Sequence, residues 1–329
     1  MRRILPILIF AVTFCQLLNS QAIVSQGKPV AEIFTDFHWN LDDSTKTTGF
    51  GMNRAYLGYN FLPCGSFSGS IIINIGNPDD LSPGSVRRRY AFFREASITY
   101  TKNKFSIALG ITDTHLFDFQ QKFWGKRYVA NTYQSINGYG YIADLGVALD
   151  YKFNDIWKCD ITIMNGEGYS DIQLDNGVKT SAGLIFTPVK QIAVKIYEDV
   201  ENPHYKWRYT LVGFFGFKND LITIGIEASY KSNLDLIGGH NAWWISVTGG
   251  INIFKKTELF ARYDYSASVI VPGENAQWNF LNDGRFSVYG IQYTFSENVK
   301  MALDYQGTYP YSTDKHVSDA IYVNARFKF

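Results

Sequence analysis

From Val30 onward, apolar and polar residues alternate in short runs, separated by breaks rich in Gly, Asn, Asp and Pro. A period of two marks a strand, whose successive side chains point to opposite faces. The last run is the cleanest: Ile321, Val323, Ala325, Phe327 and Phe329 share one face, and Tyr322, Asn324, Arg326 and Lys328 the other. Val299, Met301, Leu303 and Tyr305 likewise oppose Lys300, Ala302, Asp304 and Gln306. Leu259, Ala261, Tyr263 and Tyr265 oppose Glu258, Phe260, Arg262 and Asp264. Tyr141, Ala143, Leu145, Val147, Leu149, Tyr151 and Phe153 oppose a face with Asp144, Asp150 and Lys152. Sixteen such segments begin near Ala31, Gly51, Phe67, Phe93, Phe105, Tyr139, Trp157, Val178, Gln191, Trp207, Leu221, Trp243, Thr257, Arg285, Val299 and Ala320. Those at Val178 and Gln191 carry the weakest pattern. No 3.6-residue period persists after Ala22, so the chain reads as all-β.

An even number of strands is what a closed bacterial barrel requires. The breaks sort by parity in the same sense. After odd segments they are long (77–90, 113–137, 165–177, 231–241, 266–283 and 310–319). After even segments they are short (63–66, 102–104, 154–155, 218–220, 255–256 and 296–298). A transmembrane barrel has this asymmetry, with short periplasmic turns and long extracellular loops, and a soluble sandwich has no reason for it. Aromatic pairs close the downward strands on the apolar face: Tyr59/Phe61, Tyr151/Phe153, Phe215/Phe217, Tyr293/Phe295 and Phe327/Phe329. Phe37/Trp39 and Tyr263/Tyr265 close upward ones. Two such rows match the girdles that sit at the two membrane interfaces.

The first residues fit this destination. Met1-Arg2-Arg3 is a basic n-region, Ile4 to Leu18 an apolar h-region, and Ser20-Gln21-Ala22 a small-x-small cleavage pattern. The reading is a removed signal peptide over 1–22 and one barrel domain over 23–329, located in the cell outer membrane. Phe14 before Cys15 lacks the small residue that lipidation needs. Losing Arg2 and Arg3 takes 31 basic residues to 29 against 30 acids, so nucleic acid is not an expected partner. The 3 Cys form no CxxC pair and the 5 His stand singly, so neither a metal nor another cofactor is expected. Aromatics make up 16% of the chain and charged residues only 19%, below the ~25% of soluble domains.

Several short stretches look familiar. Gly51-Met52-Asn53-Arg54-Ala55-Tyr56-Leu57-Gly58-Tyr59 resembles an early strand of the phosphate-selective porins of Gram-negative outer membranes. Phe119-Gln120-Gln121-Lys122-Phe123-Trp124-Gly125-Lys126-Arg127-Tyr128 resembles their third-loop region. Tyr141-Ile142-Ala143-Asp144-Leu145-Gly146 and Asn165-Gly166-Glu167-Gly168-Tyr169 are similar to segments of the same group. The resemblance implies a passive channel, usually a homotrimer, in contact with outer-membrane lipid. It also implies delivery by the barrel assembly machinery through the terminal strand ending in Phe329. The lysine-rich phosphate-binding arrangement of the specific members is not evident in this sequence.

The break at 113–137 is too long for a hairpin loop and too apolar for disorder, with Phe117, Phe119, Phe123, Trp124 and Tyr128. In a sixteen-stranded barrel it is expected to fold into the lumen and bury those rings. Asp113, His115, Asp118, Lys122, Lys126 and Arg127 then become candidates for a constriction whose field selects among ions and small hydrophilic solutes. Inward-facing Glu32, Asp36, Arg54, Glu95, Asp144, Arg262, Asp264, Arg285 and Arg326 are the pore-wall candidates. Arg87, Arg88, Arg89 and Arg94 form the densest basic cluster, expected at the outer mouth. Two other classes compete. A barrel enzyme of lipase or protease type has Asp36 and His38 as its best pair, without a third member. A structural or adhesive barrel would not conduct.

Overall fold

The computed structural model describes residues 27–41, 48–76 and 90–329. The signal-peptide assignment and Arg87, Arg88 and Arg89 lie outside the described residues. Sixteen strands follow one another: β1 (Gly27–Asn40), β2 (Gly49–Cys64), β3 (Phe67–Gly76), β4 (Tyr90–Lys102), β5 (Phe105–Asp113), β6 (Ala143–Lys152), β7 (Trp157–Met164) and β8 (Lys179–Val189) make the first half. β9 (Ile192–Glu201), β10 (Arg208–Lys218), β11 (Ile222–Lys231), β12 (Ala242–Phe254), β13 (Thr257–Ser268), β14 (Gly284–Ser296), β15 (Val299–Pro310) and β16 (Ser318–Lys328) make the second. Each pairs antiparallel with its chain neighbours, and β1 pairs with β16 from Glu32↔Lys328 to Asn40↔Ala320, closing the barrel. Among the described residues no helix is long and apolar enough to cross a membrane. The strands have the length to do so, since about 9–11 tilted residues span a bilayer.

The alternation read from the sequence is the alternation of the wall. On β13, Leu259, Ala261 and Tyr263 are exposed outward while Phe260, Arg262 and Asp264 are buried inward. Rings pair edge-on or tilted along the outer wall near the short turns: Tyr59–Phe61, Tyr151–Phe153, Tyr293–Phe295 and Phe67–Tyr100. Phe37 meets Phe50 near the other end, beside Trp39 at 60% exposure. An apolar band between two aromatic rows is the surface a bilayer solvates. Connections after even strands are short (65–66, 103–104, 255–256), and those after odd strands reach 114–142, 165–178 and 269–283.

Four readings need correction. Most strand starts lie within three residues of expectation, but β1 begins four residues early, at Gly27. β6 begins at Ala143 rather than Tyr139, because Tyr139 and Tyr141 belong to the preceding connection. That connection contains helices α1 (Asp118–Trp124) and α2 (Tyr133–Ile136), too short to leave a helical period in the sequence. Arg285, expected inward, is exposed on the outer face. It pairs with outward Tyr265 and shares parity with Tyr289, Ile291 and Tyr293. Arg94, expected at the mouth, sits in a bulge where Ile72↔Glu95 is followed by Ile73↔Phe93. The unpaired residue changes local parity and turns the strand, as bulges do.

The face assignment is testable on β16. Val323, 39% exposed on the apolar face, is expected not to tolerate arginine, since a charge at mid-bilayer costs roughly 2–4 kcal/mol. Tyr322→Arg, one residue away on the lumen side, is expected to assemble. Heat-modifiable gel mobility of the two variants reads the difference, and equal assembly would overturn the two faces.

Candidate functional site

The connection between β5 and β6, residues 114–142, lies inside the barrel. Its neck is pinned where the Thr114 amide donates to the Ile142 carbonyl at 3.2 Å and the Thr114 hydroxyl to the Tyr141 carbonyl at 2.6 Å. Leu116 and Phe117 pack on Tyr197 and Val212. Along α1, Phe119 and Phe123 continue onto Ile185, Ala193 and Phe214. Phe123 sits in the hollow left by the cross-strand pair Gly216 and Gly225, where a Cβ at Gly216 would meet its ring and one at Gly225 the Thr248 hydroxyl and the Phe123 Cβ. Gly125, at φ +63°, ends the helix in the left-handed conformation that glycine adopts without strain. Trp124, Tyr128, Val129 and Ala130 then cross to Phe260, Val288, Ala302 and Phe34 on β13, β14, β15 and β1. The return passes Tyr133 and Tyr139 against Ala242 and Trp244. Each large ring buried this way stabilises by ~3–5 kcal/mol relative to alanine.

Polar contacts fix the crossing. Lys126 pairs with Glu258 at 2.6 Å, the Tyr128 hydroxyl donates to Gln292 at 2.8 Å, and Gln306 donates to the Val129 carbonyl at 3.0 Å. Arg262 forms a two-point pair with Asp264 (3.0 and 2.6 Å) and also donates to the Asn131 carbonyl. Gln134 donates to Glu227, and Lys231 to the Tyr139 carbonyl at 2.9 Å. Glu258, Gln292, Glu227 and Tyr56, like the inward parity that carries them, were legible as positions but not singled out from the sequence.

The candidates therefore separate. Arg262, Asp264 and Lys126 are buried and hold the loop. Burial and the nearby Lys300 and Lys218 charges keep the Lys126 ammonium below the ordinary lysine range despite Glu258. Asp144 accepts the Gly166 and Leu145 amides at 2.6 and 2.7 Å, anchoring the start of the connection 165–178. Glu32 pairs with Arg326 at 2.6 Å on the wall, and Asp36 with His38 at 2.8 Å. Lys122 is exposed on the loop, with Asp118 and Asp113 part-exposed.

The remaining arginines converge. Arg54 donates to the Tyr56 hydroxyl at 2.8 Å, and Arg127, from the loop, donates to the same oxygen at 3.2 Å. Neither pairs with a carboxylate among the described residues. Arg94 bonds Asp113, with Glu95 nearby, and its charge also acts on Tyr56 and Arg127. Burial and the Arg54 and Arg94 charges depress the Arg127 guanidinium below its ordinary range, against the opposing pull of Tyr56. Asn74 donates to the Tyr169 hydroxyl at 2.9 Å, closing the ring of polar groups beside them.

His115 latches the loop root. Its Nδ1 stands 2.8 Å from Asp118 and its Nε2 3.8 Å from Asp150, with φ at +60°. Asp160 faces it from β7, paired with Lys195 at 2.9 Å, and Lys195 also donates to the His115 carbonyl at 2.8 Å. Lys158 pairs with Asp150 at 2.5 Å. Burial opposes protonation of His115, but the hydrogen bond and charge of Asp118, with Asp160 and Asp150, outweigh it and raise the imidazole. Burial likewise opposes ionisation of Asp118, and the hydrogen bond and charge of His115 with Lys195 outweigh it and lower the carboxyl. The histidine contribution is complete below about pH 6.5 and is lost as pH rises through the raised value. The aspartate contribution is complete above about pH 4 and lost below the depressed one. Protection factors of the amides over 116–121, taken against the base-catalysed intrinsic exchange rate, are therefore expected to be greatest between those limits and to fall as pH rises through the raised imidazole value, with His115→Gln removing that alkaline fall.

No family model and no curated protein sequence matches the chain. Solved structures do. OmpF of Salmonella typhi in complex with daunomycin is 12% identical over 93% of this chain and 98% of that one, with a TM-score of 0.66. The in-vitro folded OmpT of Vibrio cholerae in its trimer form is 13% identical over 92% and 99%, TM-score 0.61. The anion-selective porin of Comamonas acidovorans is 10% identical over 92% and 99%, TM-score 0.62. The chain thus has the closed sixteen-strand barrel fold of porins. At this identity the likeness is one of fold.

Proposed function

We infer that the protein is an outer-membrane channel for passive diffusion of ions and small hydrophilic solutes, with 114–142 as its constriction and a preference for anions. The observation that carries this reading is the loop laid across the lumen, whose far end brings Arg127 to Arg54 and Arg94 on the wall. Anchoring residues are consumed in pairs with carboxylates, whereas Arg54 and Arg127 share one phenolic oxygen and have no carboxylate partner among the described residues. In a confined aqueous passage such charges raise the local anion concentration. The long connections face outside and the short turns face the periplasm. A homotrimer is the assembly we propose, as in the trimer form of the Vibrio cholerae protein.

Planar-bilayer recording tests the reading. Purified protein is expected to conduct, and under a KCl gradient its zero-current potential is expected to have the sign of chloride preference. Absence of conductance in folded, inserted protein would favour the structural or adhesive alternative. Hydrolysis of lipid or peptide, lost in His38→Ala, would favour the enzyme.

A further inference from the structure

A second polar site lies toward the long-loop end, away from the arginine cluster. The ends of β8, β9, β10 and β11, with the connections 269–283 and 311–317, enclose a cavity of about 400 Å³. Four cations line it: Lys179, Arg208, Lys231 and Lys315. Among the described residues Glu201 is the one carboxylate in that lining. Glu201 sits 2.7 Å from Arg208, 3.4 Å from Lys231 and 4.0 Å from Lys179, and Lys179 has Asp199 behind it at 3.1 Å. Four positive charges against these two carboxylates leave an excess of two. Arg208 is bound to Glu201 through Nε, and its two terminal nitrogens meet no acceptor among the described residues.

We propose that this cavity binds a phosphorylated monosaccharide, with Arg208 and Lys315 taking the phosphate. The volume falls in the range of small-molecule sites, about 300–1,000 Å³, and exceeds what an inorganic ion fills. The excess charge matches a phosphate monoester, which carries about −1.5 to −2 at neutral pH. Planar fork donors are suited to phosphate oxygens. Asn282 is committed, its amide nitrogen donating to Asn279 at 2.7 Å and its oxygen accepting from Lys315 at 2.7 Å, so Asn279 carries the amide nitrogen left for a sugar hydroxyl, and Trp278, one face stacked on His240 at 4.3 Å, adds an indole to the lining. The proposal deepens the channel reading and rests on it for the ligand's route, since a solute held here waits at the entrance to the constriction.

Calorimetric titration of the folded protein in detergent micelles tests the site separately from conductance. Glucose 6-phosphate is expected to bind, with glucose and inorganic phosphate each weaker by about tenfold or more. Arg208→Met and Lys315→Ala are each expected to weaken glucose 6-phosphate by about tenfold, as loss of one charge-assisted hydrogen bond implies. Lys256→Ala, at the short-turn end, is expected to leave the affinity unchanged. Heat-modifiable mobility confirms that each variant is folded. Three results would overturn the proposal: no binding to folded protein, equal affinity for inorganic phosphate, or undiminished affinity in both cavity variants. Binding without bilayer conductance would keep the site and remove the channel.

Discussion

Removal of residues 120–128 is expected to raise single-channel conductance roughly twofold or more and to widen the solute size limit, because sixteen strands by themselves enclose a wide aqueous lumen. The deleted stretch contains the part of α1 that packs on Phe214 and the crossing that reaches Phe260, Gln292 and Tyr56. No strand contributes a residue to it, so the inter-strand hydrogen bonds that hold the wall remain. The side chains it uncovers, Glu258 and Arg262 among them, face a lumen that fills with water and lose no lipid-facing partner. Heat-modifiable mobility confirms assembly, and planar-bilayer recording measures the conductance. Unchanged conductance in folded protein would place the loop outside the conducting path.

The wall was readable because two solvents impose it. Each strand faces hydrocarbon on one side and the lumen on the other, so the period of two marks all sixteen except where a bulge shifts it. The readings fail where that constraint stops. The start of β6 at Ala143 is one such place, since alternation alone does not separate Tyr139 and Tyr141 of the connection from the strand. Arg94 shows a different failure: nearness in sequence grouped it with Arg87, Arg88 and Arg89, and nothing local marks the bulge beside Ile72 and Ile73 or the pairing with Asp113. Arg285 was within reach, since it shares parity with Tyr293 and Phe295, whose aromatic pair marks the outer face.

The loop was legible in kind and not in detail. Its rings announce burial, but the residues that receive them are distant in sequence, as with Tyr128 on Gln292 (164 positions). Local spacing therefore could not tell Lys126, which ends on Glu258, from Arg127, which ends on Tyr56. Nor could it mark Gly216 and Gly225 as a seat for Phe123, because that pairing exists only once β10 and β11 are in register. The cluster of Lys179, Asp199, Glu201, Arg208 and Lys231 follows from inward parity at strand ends, a signal present in the sequence wherever a charged residue replaces the expected small polar one.

Charge reversal at Arg54 and Arg127 together is expected to turn the channel from anion to cation preference. Both guanidiniums converge on one phenolic oxygen and neither has a carboxylate partner among the described residues, so their charge is not cancelled locally. A unit charge at about 4 Å acts with roughly 1 kcal/mol even in bulk water, a factor of about five in local ion concentration, and more beside a low-dielectric wall. Two reversals change the site by four charges, enough to invert the sign of the zero-current potential under a KCl gradient. Replacement of the same two residues by alanine is expected to bring that potential close to zero. The effect is to be measured near 0.1 M salt, where the Debye length is about 10 Å, because at 1 M it shrinks to about 3 Å and screens the field. Arg285→Glu is the control, being a reversal on the outer face that leaves the lumen untouched. A folded Arg54→Glu/Arg127→Glu variant that retains chloride preference would show that ions pass elsewhere in the barrel than beside Tyr56.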